Sequence, residues 1–93
     1  MTRTVEDAIG LLGLRMKDLV TGATGVVTSV TFDLYGCIQA LLNPGLDDDG
    51  NPRDSNWYDV NRLTVADPRP VMDRPAFLSA NRGPADKPIP RKP

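Results

Sequence analysis

An aromatic pair and a guanidinium group lie close together in the stretch Trp57-Tyr58-Asp59-Val60-Asn61-Arg62. Aromatic faces stack on nucleobases and a guanidinium binds phosphate through paired hydrogen bonds, so Trp57, Tyr58 and Arg62 could hold a nucleotide at a subunit interface. A lone Trp in a small domain more often belongs to a core or an interface. Asp59 and Arg62 equally suit a structural salt bridge or a turn cap, and we prefer this structural interpretation over the ligand pocket.

Carboxylates that could ligate calcium are concentrated in Asp47-Asp48-Asp49-Gly50-Asn51, with Asp54 nearby. An EF-hand loop needs acids at positions 1, 3 and 5, Gly at position 6 and Glu at position 12. Placing Gly50 at position 6 puts Gly45 at position 1 and Asn56 at position 12, so the register fails. The stretch predicts a solvated hairpin loop, and we expect no metal site and no cofactor.

The glycines of Thr21-Gly22-Ala23-Thr24-Gly25 could cradle a phosphate on backbone N–H groups. The run lacks the Lys-Ser/Thr ending of a P-loop, and it precedes a predicted strand rather than a helix. A β-turn with positive φ at both glycines accounts for the same residues. We therefore predict a turn here.

Catalysis has little support in the composition. The 93 residues include no His, which excludes Ser–His–Asp and Cys–His catalysis, imidazole acid–base chemistry and histidine metal sites. The single cysteine, Cys37, has no partner for an intramolecular disulfide and no neighbouring Lys. We expect a buried, inert thiol, with an intersubunit disulfide as the alternative in an oxidising setting. No catalytic residue is expected, and the chain is predicted not to be an enzyme.

The charges divide the chain into an acidic body and a basic tail. Residues 1–66 carry five Lys/Arg against nine acids, and residues 67–93 carry six against three. An acidic body argues against nucleic-acid binding on the folded face. No run of 18 apolar residues and no signal-peptide pattern occurs, so neither membrane insertion nor secretion is expected. A single cysteine favours an intracellular or virion setting.

The elements that position these residues follow from the hydrophobic spacing. Thr4 with Asp7 predicts the start of a helix of at most two turns before Gly13, with an irregular segment as the alternative. From residue 14 the apolar period becomes two. This period predicts strands over 14–19, 26–32, 37–42, 57–60 and 63–65, with a tight or 3₁₀ turn at Asn61-Arg62.

Five short strands joined by tight turns predict an all-β fold, a small five-stranded SH3-like barrel over residues 14–66. A short helical segment (1–13) precedes it and an extended Pro-rich tail (67–93) follows. A core this small leaves a narrow stability margin, so oligomerisation or a docked tail is expected to help. The predicted core consists of Leu14, Met16, Val20, Val26, Val30, Phe32, Ile38, Ala40, Leu42, Tyr58, Val60 and Leu63.

The tail contains seven of the nine prolines, and four of its five larger apolar residues come in two pairs, with Ile89 alone. We expect it to pack on its own subunit or on a neighbour. The predicted apolar anchors are Val71, Met72, Phe77 and Leu78, and Arg74 and Arg82 are expected to bind acidic patches.

Three blocks in order carry a family resemblance: Lys17 to Thr28, then Tyr35-Gly36-Cys37, then Trp57 to Leu63. They resemble the pattern D-x-V-T-G-x-x-G, then G-C, then W-[FY]-D-x-x-R-L of small proteins encoded by tailed bacteriophages and prophages. The resemblance covers about residues 13–65 and implies a phage origin and a small barrel, without an activity. The first block also resembles the openings of KOW and Tudor-type barrels.

We therefore expect a structural or assembly component of a phage particle, associated with the capsid or the tail. It would form a homo-oligomer, contact other phage proteins, and act in the host cytoplasm or the virion. The alternative is a counter-defence protein that oligomerises and sequesters a host signalling nucleotide through Trp57, Tyr58 and Arg62.

Overall fold

The computed structural model describes residues 3–76, in which Thr4 begins a short helix, α1 (Val5–Ile9). The Thr4 hydroxyl accepts a hydrogen bond from the Asp7 N–H (3.2 Å), and the Asp7 carboxylate accepts one from the Thr4 N–H (2.9 Å). This capping box confirms the predicted helix start. Because the Thr4 N–H binds the charged carboxylate, the pKa of Asp7 lies below its ordinary value.

Five antiparallel strands form one sheet in the order β4-β3-β2-β1-β5. All-β architecture is confirmed, and each strand lies within two residues of its predicted bounds. In the described part of the chain β4 and β5 are the two edges and do not pair with each other, so the sheet is not closed. The strands are β1 (Arg15–Asp18), β2 (Thr24–Phe32), β3 (Ile38–Asn43), β4 (Asn56–Asp59) and β5 (Leu63–Asp67), with a 3₁₀ turn (Val60–Arg62) before β5.

The core lies where α1 and the residues after it pack on one face of the sheet. Its buried apolar residues are Ala8, Leu11, Met16, Val27, Ala40, Leu42, Val60 and Leu63. Four further predicted core residues, Leu14, Val30, Ile38 and Tyr58, are partly buried against this cluster. Ala8, Leu11 and Val27 were not predicted.

Three predicted core positions differ in the structure. A register shift between Val27 and Ser29 adds one residue to β2, and such a bulge exchanges the two faces of a strand. Val27 is therefore buried before the bulge, whereas Val26 is only half-buried. The core prediction is wrong for Val20, because this residue lies in the turn after β1 and is 72% exposed. The core prediction is also wrong for Phe32, which is 49% exposed because it lies at the far end of β2, beyond the residues that pair with β1.

The turns of two hairpins are held by the same pattern of hydrogen bonds to an Asp side chain. The Asp33 carboxylate accepts hydrogen bonds from the backbone N–H groups two and four residues later, both at 2.9 Å. Asp47 makes the same two bonds in the β3–β4 loop, again at 2.9 Å. A glycine with positive φ follows each Asp by three residues, Gly36 (+89°) and Gly50 (+83°). The predicted hairpin loop at Asp47 is therefore confirmed. No helix within residues 3–76 is long and apolar enough to cross a membrane.

Candidate functional site

A buried ion pair joins the end of β1 to the 3₁₀ turn. Asp18, whose side chain is completely buried, accepts hydrogen bonds from Arg62 Nε (2.8 Å) and Nη2 (2.7 Å). Thr21 adds its backbone N–H (2.9 Å) and its hydroxyl (2.6 Å) to the same carboxylate. A buried charge is tolerated when it is paired and hydrogen-bonded in this way. The cluster therefore joins the turn after β1 to the 3₁₀ turn before β5.

The hydrogen bonds to Asp18 set its ionisation. The Arg62 guanidinium holds the pKa of Asp18 far below its ordinary value, and the Thr21 bonds add to this effect against the opposing effect of burial. The same hydrogen bond raises the pKa of Arg62. Asp18 therefore stays a carboxylate and is not available as a general acid.

The turn that presents Arg62 is held at both ends. Asp59 caps it by accepting the Asn61 N–H (2.8 Å). Arg3 comes from the other end of the chain and donates from Nη1 to the Val60 and Leu63 carbonyls. The predicted turn cap at Asp59 is confirmed, but Arg62 forms its ion pair with Asp18 rather than with Asp59.

Of the three predicted nucleotide-binding residues, Arg62 and Tyr58 meet but Trp57 does not join them. Arg62 lies over the Tyr58 ring, 5.5 Å from its centroid, as a cation–π contact requires. Trp57 precedes Tyr58 in β4, and successive side chains of a strand point to opposite faces. Trp57 therefore lies opposite Leu41 on the other face of the sheet. Arg62 also donates from Nε and Nη2 to Asp18, so a phosphate cannot bind the same edge of the guanidinium.

Sequence reasoning missed Asp18 and Thr21 as the partners of Arg62. Both belong to the D-x-V-T-G block, and Arg62 belongs to the W-[FY]-D-x-x-R-L block. The ion pair thus joins residues 44 positions apart and links the first block to the third. The sequence signal that could have found this ion pair was the presence of an acid, Asp18, in the first block and a base, Arg62, in the third.

Cys37 differs from its predicted environment. The thiol is exposed, because Cys37 ends the turn after β2 instead of lying inside β3. The negative charge of Asp33 raises the pKa of the Cys37 thiol. An exposed thiol with a raised pKa reacts slowly at neutral pH.

The first residues of the Pro-rich tail lie on the body of their own chain. The Val71 N–H donates to the Gly13 carbonyl (2.9 Å), and Arg74 Nη1 donates to the Ile9 carbonyl at the end of α1 (3.0 Å). Arg74 thus contacts a backbone carbonyl rather than the predicted acidic patch. Val71 and Met72 are more than half exposed, so these two hydrogen bonds, rather than the burial of apolar side chains, hold the segment. Phe77, Leu78 and Arg82 lie outside the described residues.

A groove of about 280 Å³ runs beside this docked segment. Its lining consists of Leu12, Gly13, Val26 to Thr28 and residues 71–75. The groove is the surface on which the predicted anchors Val71 and Met72 lie.

No group of three or more acidic, Cys or His side chains within residues 3–76 is arranged to hold a metal ion. Comparison of the chain with protein-family models, with curated proteins and with solved structures finds no match.

Proposed function

We propose that the chain is a non-enzymatic structural or assembly component of a tailed-bacteriophage particle. The observation that carries this proposal is the pair of sheet edges, β4 and β5, which no other strand within residues 3–76 covers. Each edge carries a large apolar side chain that is nearly half exposed, Trp57 (44%) on β4 and Val65 (42%) on β5.

An open strand edge presents unpaired backbone N–H and C=O groups to which another chain can add a strand. Trp is also enriched at protein interfaces, where its large ring contributes apolar area and its N–H finds a partner. Edges of this kind suit contacts with further copies of the chain and with other phage proteins. The basic residues of the tail beyond Ala76 would extend these contacts in the host cytoplasm or the virion.

The strand order supports the finer proposal of a partly open SH3-like barrel. β1 pairs with both β2 and β5, and a 3₁₀ turn separates β4 from β5. β2 has a bulge after Val27, and β5 has an extra residue at Ala66 where it pairs with β1. Bulges of this kind bend strands, as a barrel requires. The absence of His from the sequence, and the use of Asp18, Asp33 and Asp47 in local structure, support a non-enzymatic role.

Sedimentation velocity over a range of protein concentrations tests the assembly proposal. We expect a defined oligomer, and we expect Trp57→Arg and Val65→Lys each to dissociate it by placing a charge on an edge. Leu46→Lys is the control, since it adds the same charge at an apolar residue that is even more exposed (63%) but lies in the β3–β4 loop. A chain that stays monomeric alone and in the presence of particle proteins contradicts the proposal.

The nucleotide-sequestration alternative has less support, because Arg62 is paired with Asp18 and lies over the Tyr58 ring on which a base would stack. Native mass spectrometry of protein purified from a bacterial host separates the two functions. An oligomer that releases one nucleotide-sized mass per subunit supports sequestration, and an oligomer free of ligand supports the structural role.

A further inference from the structure

The second half of β2, from Thr28 to Phe32, has one edge that no strand within residues 3–76 covers. β1 pairs with β2 only as far as Val26, and Val27 exchanges backbone hydrogen bonds with the residues just before β1. Beyond Val27, β2 pairs with β3 alone in the described chain, on its other side. The stretch contains no charged residue and no proline, two of the features that keep a sheet edge from pairing with another chain. This edge, the open edge of β2, can therefore receive a further strand.

The backbone groups along the open edge lack partners within the described part of the chain. Asp33 donates its N–H to the Cys37 carbonyl and accepts the Gly36 N–H, so its backbone faces β3. The backbone hydrogen-bonding groups of successive strand residues point alternately to the two sides of the strand. The N–H and C=O groups of Phe32 and Val30 therefore face the open side, as a strand that accepts a neighbour requires.

The core face of the sheet is uncovered at the same edge. Val30 is partly buried against the core cluster, and Phe32 follows two residues later on the same face, 49% exposed. Thr31 lies between them on the opposite face and is exposed. A strand added here would cover Phe32, so the open edge offers apolar area as well as hydrogen bonds.

The open edge is complementary to a second copy of itself. In an antiparallel pair that places Thr31 opposite Thr31, Val30 of each copy lies opposite Phe32 of the other. Each Val30–Phe32 pair exchanges both of its N–H···O=C bonds and brings an aliphatic side chain against an aromatic one. Two threonines directly opposite each other are also a favourable cross-strand pair. A shift by one residue loses these bonds, because it opposes Val30 to residues whose backbone faces β3.

The same register brings an exposed apolar turn to an apolar groove. Leu34 (90%) and Tyr35 (86%), in the turn after β2, are the two most exposed large apolar residues in the described chain. Counted along the pair, Leu34 of one copy is level with Thr28 of the other, and Tyr35 with Val27. Thr28 and Val27 line the groove of about 280 Å³ beside residues 71–75. The turn of each copy therefore comes to the groove of the other, at both ends of the paired edges.

We propose that two copies of the chain pair antiparallel through the open edge of β2, with Thr31 at the two-fold axis. The contact uses the same surface of both copies and continues the sheet from one subunit into the other. Asp33 of one copy lies opposite Ser29 of the other, so no like charges are opposed along the pair. This surface differs from the β4 and β5 edges, and the proposal does not rest on a role in a phage particle.

A charge at the axis tests the contact, because residue 31 meets only its own copy there. Thr31→Lys opposes two like charges and is expected to reduce the dimer of the full chain to a monomer in sedimentation velocity. Gln39→Lys is the matched control and should keep the dimer, since Gln39 is an exposed polar residue that pairs with Thr31 but lies one strand away from the edge. Mixing Thr31→Lys with Thr31→Glu is expected to restore the dimer, because the two charges then attract.

A disulfide at the axis tests the register. The Cα atoms of opposed residues that do not exchange hydrogen bonds lie about 4.5 Å apart, a distance that a disulfide can span. Thr31→Cys in a Cys37→Ser background is therefore expected to form a covalent dimer on mild oxidation. Gln39→Cys in the same background is expected to stay largely uncrosslinked.

Two results overturn the proposal. One is a chain that sediments as a monomer, or whose dimer withstands Thr31→Lys as well as Gln39→Lys, and the other is equal crosslinking of Thr31→Cys and Gln39→Cys. Dispersed amide NMR signals verify that Thr31→Lys is folded. The double variant Trp57→Arg/Val65→Lys is expected to retain this dimer after the contacts of the β4 and β5 edges are lost, so the two proposals fail separately.

Discussion

Gly25 offers a sharp test of the packing between β2 and β3. The sequence predicts a positive φ at both glycines of the first turn, and Gly22 has one (+81°). Gly25 instead lies inside β2 without a positive φ. A Cβ at this position would lie 2.8 Å from the Asn43 carbonyl oxygen, 2.9 Å from its carbon and 3.1 Å from its nitrogen. Close approach of β3, rather than backbone conformation, requires glycine here.

The cost of Gly25→Ala follows from the nature of these contacts. All three atoms belong to the backbone of Asn43, which pairs with Val26, so no side chain can rotate away. The strands must separate locally, and overpacking of this kind costs about 1–3 kcal/mol. For a domain of this size we expect a fall in Tm of roughly 10 °C, taking about 2 kcal/mol as the central value.

Urea unfolding followed by the fluorescence of Trp57, the single tryptophan, measures this cost. The midpoint should fall while the dependence of the free energy of unfolding on urea stays unchanged. The neighbouring exposed Thr24 gives the control, and Thr24→Ala should change stability by less than about 0.5 kcal/mol. If Gly25→Ala is as mild as Thr24→Ala, the close approach of Asn43 to Gly25 is refuted.

Three other outcomes are expected. Met16→Ala, at a fully buried position, should lower the free energy of unfolding by about 2–5 kcal/mol in urea titrations. Val20→Ala, at an exposed position, should lower it by less than about 0.5 kcal/mol. Equal losses of stability contradict the observed core. Because the folded pKa of Asp18 is depressed, its stabilising effect is present above the ordinary pKa near about 4 and is lost as pH falls. Asp18→Asn should therefore melt lower at neutral pH and lose less stability on acidification, and parallel melting curves contradict this. Asp33→Asn keeps the turn's acceptor oxygen but removes the charge that raises the pKa of Cys37, so alkylation at neutral pH should accelerate, and an unchanged rate contradicts that cause.

Five residues of the first and third sequence blocks have structural roles. Asp18 and Thr21 receive Arg62, and Asp59 caps the turn that presents it. Leu63 follows in the core.

Much of the secondary structure was predictable because its causes are local. Alternating apolar residues identify strands wherever one face is buried, and Thr4 with Asp7 marks the helix start through bonds that span three residues. The turns at Asp33 and Asp47 are equally local, since each Asp binds backbone within four residues and a glycine supplies the positive φ.

The tertiary structure alone decided which distant residues meet. The bulge after Val27 exchanged the faces of β2, and no local pattern records the extra residue. The exclusion of a side chain at Gly25 depends on how closely β3 passes. The partner of Arg62 is Asp18 because β5 pairs with β1 rather than with β4, a choice among strands that lie far apart in the chain. Local spacing sets backbone conformation, whereas ion pairs and cores are set by strand order and register, which emerge only when the sheet is assembled.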